Sequence, residues 1–197
     1  MKERPILFSG PMVRALLGGS KTQTRRVFKY KNGGVQPRTN DLPGMRQIMH
    51  NCPYGQPGNR LWVRETWGYF GGDEYIYQKD IGSVGYRASQ IDGLDHIPGG
   101  RWRPSIHMPR WASRLTLEIT GVRVERLNDI SRADAEAEGC TKNHNGYYWG
   151  GPHETSGLKQ LASAKGAYRD LWESLNGTDS WAANPCVWVI EFKRIAP

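Results

Sequence analysis

The sequence predicts a mixed α+β domain, a small sheet or barrel with helices at its periphery. Three observations carry this. Residues 61–66 alternate with period two: Leu61, Val63 and Glu65 on one face, Trp62, Arg64 and Thr66 on the other. Residues 115–127, LTLEITGVRVERL, alternate in two halves about Gly121, which reads as one long strand bent at a bulge or barrel corner. Helical patterns are few, and strands do not alternate with them as a parallel βαβ fold requires. At 197 residues the chain is close to the ~150-residue prior for a single domain. One domain over 1–197 is expected, with loop insertions near 29–60, 89–114 and 141–157.

In chain order, residues 5–9 read as a short buried strand. Gly10-Pro11 then opens a helix, with proline near its first position, and Met12, Val13, Leu16 and Leu17 form its apolar face. Gly18-Gly19 stops it, since only glycine enters the left-handed C-cap region cheaply. Residues 29–60 hold repeated Gly and Pro and few apolar clusters, and read as a long loop. Residues 74–79 and 83–88 suggest a hairpin around 80–82. A loop over 89–100 follows, then the aromatic-basic stretch RWRPSIHMPRWASR. Ser131 is an N-cap with Asp134 at N3, a variant capping box for a helix over 132–138 that Gly139 ends. Residues 158–175 give the longest helical pattern, with Leu161, Tyr168, Leu171, Trp172 and Leu175 on one side. Asn184-Pro185 turns the chain into a last strand over 186–193.

Composition bounds the function. Apolar residues make up 38%, low for a globular chain, but eight Trp and nine Tyr supply area to bury. No apolar run approaches the ~20 residues of a membrane span. Cys52, Cys140 and Cys186 are odd in number and form no CxxC pair, which argues against a disulfide framework or zinc ribbon and for a reducing, cytoplasmic setting. The five histidines show no metal-binding spacing, so no metal or other cofactor is expected. The net charge of +8 favours an anionic partner, a nucleoside or nucleic acid, and no membrane. The oligomeric state is not legible.

The segment ALLGGSKTQTRR, residues 15–26, concentrates the chemistry: a helix stop, an amine, hydroxyls and two guanidiniums. Lys21 beside Thr24 is a possible base and nucleophile pair, provided burial or a cationic neighbour such as Arg25 or Arg26 lowers the amine's pKa from ~10.4. A straight strand would send residues i and i+3 to opposite faces, so the segment must bend for both to share a site. Interleaved with this is an aromatic and basic set: Arg60, Trp62, Arg64, Glu65 and Trp67, then Arg101, Trp102, Arg103, His107, Arg110, Trp111 and Arg114. Indole faces stack bases and guanidiniums contact phosphates, so the set suits an unstacked or flipped nucleotide. Packing in a core is the competing reading of each Trp.

GGSKTQTRR resembles the GRKTxTxR signature of the ASCH superfamily, relatives of the PUA RNA-binding domain. RLWVRE at 60–65 resembles that family's GD-x-L-x-V-R-E strand, with Gly58-Asn59 for Gly-Asp, and VWVIEF at 187–192 resembles its closing strand. The chain also looks like longer ASCH proteins of bacteriophages and prophages. The resemblance implies a PUA-like small β-barrel around a nucleic-acid-facing cleft. Small bacterial members hydrolyse N4-acetylcytidine, which implies Lys21 as base, Thr24 as nucleophile and, through ISRADAEAEG, Glu138 as the orienting acid. Asp134 and Glu136 are the alternatives if the register slips. Three functions stay open: an amidohydrolase acting on an acylated cytosine, free or in nucleic acid; a non-catalytic reader of RNA or modified DNA; and a metal-independent ribonuclease.

Overall fold

A computed structural model describes residues 1–29, 50–69, 84–89, 101–142, 146, 148 and 163–195. The strands are β1 (Glu3–Leu7), β2 (Gln23–Val27), β3 (Arg60–Arg64), β4 (Trp67–Tyr69), β5 (Val84–Tyr86), β6 (Thr116–Arg126) and β7 (Cys186–Ile195). The helices are α1 (Gly10–Leu17), α2 (Arg132–Ala137) and α3 (Ala164–Asn176). Five strands form one sheet in the order β1-β3-β6-β7-β2, and β4 pairs with β5 separately. Only β1–β3 is parallel.

The central strand β7 explains the layering. Cys186, Val187, Trp188, Val189 and Ile190 are all buried, as a strand covered on both faces requires. Trp188, Ile190 and Phe192 pack with Ile6, Val13, Leu61, Leu117 and Ile119 in one core. Val187 and Val189, of opposite parity, pack with Leu127, Ala135, Tyr168 and Trp172 in another, under α2 and α3. A third, smaller core joins Trp67, Val84, Met108 and Ala112.

The α+β expectation holds in its coarse form. The sheet is not closed into a barrel: among the described residues its edge strands β1 and β2 form no ladder. Arg26 straps them, donating from Nη2 to the Leu7 carbonyl at 2.6 Å. The bulge expected at Gly121 is present, as a register shift between Ile119 and Gly121 on β7. The Ser131–Asp134 capping box is complete. Gly19, not Gly18, holds the positive φ after α1, at 76°.

Several expectations change. Leu17 is 37% exposed, and Ala15 joins Val13 and Leu16 on the buried face of α1. The third helix starts at Ala164 behind an N-cap at Ser163, which accepts from the Gly166 amide; its expected first turns at 158–162 lie outside the described residues. β5 pairs with β4, an unexpected strand; the partner expected at 74–79 lies outside the described residues. Residues 30–49, 70–83, 90–100 and most of 143–162 lie outside the described residues, so the loops expected at 89–100 and over most of 29–60 and 141–157 do too. Residues 101–114 are built from 3-10 turns, Ser105–His107 and Arg110–Ala112. No described helix is long and apolar enough to cross a membrane.

Candidate active site

The segment between α1 and β2 is held from both sides. Lys21 forms a bridge with Glu138 at the end of α2. The Thr22 amide donates to the Ala137 carbonyl at 2.9 Å, and the Thr22 carbonyl accepts from Phe192 on β7 at 2.9 Å. This clamp, set up by the turn at Gly18-Gly19, carries Lys21 under the helix end. Lys21 Nζ donates to Glu138 Oε2 at 2.7 Å and to the Glu138 carbonyl at 2.9 Å. Glu138 caps α2, where the helix dipole disfavours an anion, and Lys21 and Arg25 supply the facing positive charge.

Burial makes this pair unusual. Lys21 is 2% exposed and Glu138 4%. Burial holds the Lys21 ammonium below its ordinary pKa; Glu138 opposes this, and the charge of Arg26 adds to it. Arg25, whose side chain has no exposure, reaches Glu138 Oε1 at 3.4 Å, Glu125 Oε2 at 3.0 Å and Asp134 Oδ2 at 3.4 Å. Arg123 binds Asp134 Oδ1 at 2.7 Å and also Glu125 and Glu191. Three cations, Lys21, Arg25 and Arg123, thus face four carboxylates, Glu125, Asp134, Glu138 and Glu191.

The register falls on Glu138. Asp134 belongs to the outer part of this network; burial would raise its carboxyl, but the Ser131 hydrogen bond, Arg25 and Arg123 together hold it below the ordinary value. Glu136 points outward to Arg132 Nε and the Tyr148 hydroxyl, at 2.9 and 2.8 Å.

A cavity of about 480 Å³ opens at the seam between β1 and β2, a size typical of small-molecule sites. Thr24 and Glu138 line it, with Arg25 and Arg26, Phe8 and Ser9 from the end of β1, and Tyr168, Leu171 and Trp172 from α3. Thr24 is 1% exposed, and its hydroxyl has no hydrogen-bond partner among the described residues. Lys21 does not line the cavity itself. It meets the cavity through Glu138 and through Phe8, whose ring centroid lies 5.8 Å from Nζ. Arg26 stands over the same ring at 5.4 Å.

The aromatic and basic set sits elsewhere: Glu65 and Trp67 are buried, and the rest are half-buried or exposed. Arg64 donates from Nε to the Met108 carbonyl at 3.1 Å and also to the Ile106 carbonyl. Its guanidinium and that of Arg110 lie over Trp62, at 5.4 and 6.0 Å. Arg110 also pairs with Glu3 at 2.9 Å. Glu65, 1% exposed, receives two hydrogen bonds of 2.9 Å from Arg114, so it is a buried ion-pair partner rather than a surface contact. Trp67, 2% exposed, is a core residue; Arg103 covers it at 5.6 Å, and Trp111 meets it edge-on. Arg60 and Trp102 are half-buried. Of the expected contact residues, Arg101, His107, Arg110 and Trp111 are exposed. Arg25, expected to bind substrate, holds carboxylates and also lines the cavity. None of the 60–67 or 101–111 candidates lines the cavity.

The reading of the sequence missed the wall built by Phe8, Tyr168 and Trp172 and the network partners Arg123, Glu125 and Glu191. Tyr168 and Trp172 carried a signal, the i, i+4 spacing of an aromatic stripe, but that spacing reads equally as core.

No protein-family model matches the chain, and no curated protein does. Among solved structures, the chain is similar to the ASCH domain of Lactobacillus crispatus JV V101, with 13% identity and a TM-score of 0.42, over 98% of this chain and 79% of that one. The chemistry of the site rests on the chain's own residues.

Proposed function

We propose that this chain is an ASCH-type amidohydrolase that removes an acyl group from a modified cytosine, N4-acetylcytidine-like, as a nucleoside or within a nucleic acid. The observation that carries this reading is the buried Lys21–Glu138 pair at the wall of a cavity that also presents the unpartnered Thr24 hydroxyl. An amide carbonyl needs a strong nucleophile, and a threonine hydroxyl becomes one only when a base takes its proton. Lys21 is that base, with its pKa lowered by burial, and Glu138 holds and orients it.

The step balances without a cofactor. Thr24 Oγ1 bonds to the acyl carbon, its proton passes to the Lys21–Glu138 pair, and the carbonyl π electrons move to oxygen. On collapse the C–N bond breaks and N4 leaves with the proton. Water then cleaves the acyl-threonine to give the carboxylic acid. Phe8 and Trp172 supply apolar faces for a planar base. In this reading the seam strapped by Arg26 is the mouth of a PUA-like barrel, and the net charge of +8 draws an anionic substrate.

The test is hydrolysis of N4-acetylcytidine by the wild type, Lys21→Met and Thr24→Val, followed by absorbance. Turnover by the wild type and none by either variant, with the native fold retained, is expected. An inactive wild type that still binds the nucleoside points to a reader without catalysis.

A further inference from the structure

We propose that Tyr168 is a further catalytic residue, whose hydroxyl donates to the carbonyl oxygen as negative charge develops on it. The inference rests on the acyl-transfer reading above, which supplies a nucleophile and a base but no group to hold the oxyanion.

Tyr168 lies in the second turn of α3 and lines the cavity with Thr24 and Glu138. It is 3% exposed, yet its hydroxyl has no hydrogen-bond partner among the described residues. The hydroxyl is not among the sealed, unsatisfied buried atoms; at the wall of the cavity and without a protein partner among the described residues, it is open to donate to a ligand. The ring is fixed from three sides. Trp172 and Trp181 lie 6.2 and 6.3 Å from its centroid, and the Arg25 guanidinium lies 5.8 Å from it. Arg25 in turn holds Glu138, so the ring is tied to the same ion network as the base. A donor fixed in advance, in a site shielded from water, is the arrangement that stabilises a transition-state charge at no cost in reorganisation.

The protonation state fits. Burial, and after it the charge of Glu138, hold the phenol well above its ordinary pKa, so it stays a donor across the neutral range. It gives no proton away: the hydrogen bond strengthens as the C–O bond to Thr24 forms and relaxes when the C–N bond breaks. Of the other strong donors at the cavity, Arg25 is committed to Glu125, Asp134 and Glu138, and Arg26 is half-buried and anchored on the Leu7 carbonyl at the seam.

The experiment compares N4-acetylcytidine hydrolysis by the wild type, Thr24→Val and Tyr168→Phe. Tyr168→Phe keeps the ring and its packing. Its kcat is expected to fall roughly 10²–10³-fold, the loss typical of one oxyanion donor, with KM nearly unchanged. A second variant carries difluorotyrosine at position 168, a more acidic phenol of nearly the same shape. It is expected to move the alkaline limit of kcat to lower pH, which a purely structural role would not do. A wild-type kcat in Tyr168→Phe, beside an inactive Thr24→Val, overturns the role of Tyr168 and leaves the acyl-transfer reading standing. So does an unmoved alkaline limit if Tyr168→Phe proves unstable. Absence of turnover by the wild type overturns both.

Discussion

A buried ammonium persists only where its charge is held, and Lys21 shows how narrowly. Its Nζ has a carboxylate oxygen and a carbonyl oxygen from one residue, Glu138. Removing the carboxylate leaves the amine buried without a counter-charge, so Glu138→Gln is expected to destabilise the fold by about 3 kcal/mol or more in urea titrations. The sign of the pH effect follows from burial. The folded-state pKa of Lys21 lies below the unfolded value of ~10.4, so between the two the unfolded chain binds more protons. The cost of burying the ammonium is full below the folded value and vanishes as pH rises toward the unfolded one. The urea midpoint of the wild type should therefore gain on that of Lys21→Met as pH climbs through this window. The same burial silences the thiols. Cys52, Cys140 and Cys186 are all buried, and burial foremost pushes Cys140 up to about 12. No thiol should react with an aromatic disulfide reagent until the protein is unfolded. Lys21, Thr24 and Glu138 were legible because a local motif and a helix end carry them. The partners of Arg25 were not, because Glu125 on β6 and Asp134 on α2 come from elsewhere in the chain and only tertiary packing brings them close.

Two elements whose signals are local were read correctly. The Ser131–Asp134 capping box and the bulge before Gly121 depend on neighbouring residues alone. The strand Trp67–Tyr69 depends on its tertiary partner β5 and was missed, whereas α3 starts at a local cap, Ser163, that the reading of the sequence passed over. The Trp and Arg stretch reads two ways from sequence, since interleaved indoles and guanidiniums look alike whether they bind a base or each other. Here Arg114 lies 4.0 Å from the Tyr86 ring centroid and pairs twice with buried Glu65. Arg114→Ala is thus expected to act on stability, lowering it by about 3 kcal/mol through an unpaired buried carboxylate, and to leave KM unchanged. Gly139 makes a second test of how elements fit together. Its φ is 100°, and an added Cβ would stand 3.2 Å from the Ala15 Cβ and 3.6 Å from the Lys21 Cβ. Gly139→Ala should cost about 1–3 kcal/mol of backbone strain and displace the turn that presents Glu138 to Lys21, so a lowered Tm and lowered turnover are expected together.

At the scale of the whole molecule, β7 divides two cores, and β2 lies beside it at one edge of the sheet. That position lets one strand put Thr24 at the cavity and Arg25 into the ion network beneath α2. The alternation of β7 was readable as a buried strand, but the order of the sheet was not, because nothing local fixes which strands become its edges. The cavity lies between those edges, so its wall joins α1 and the end of β1, which closely precede the KTxT segment, to α3, which is distant from it in sequence. The measurement that bears most directly on this arrangement is the release of acetate from N4-acetylcytidine by the wild type and by Thr24→Val, each shown to be folded. The geometry predicts release by the wild type, rising with pH as Lys21 loses its proton, and none by Thr24→Val. Release by Thr24→Val at the wild-type rate would contradict the assignment of Thr24 as nucleophile and of the Lys21–Glu138 pair as its activator.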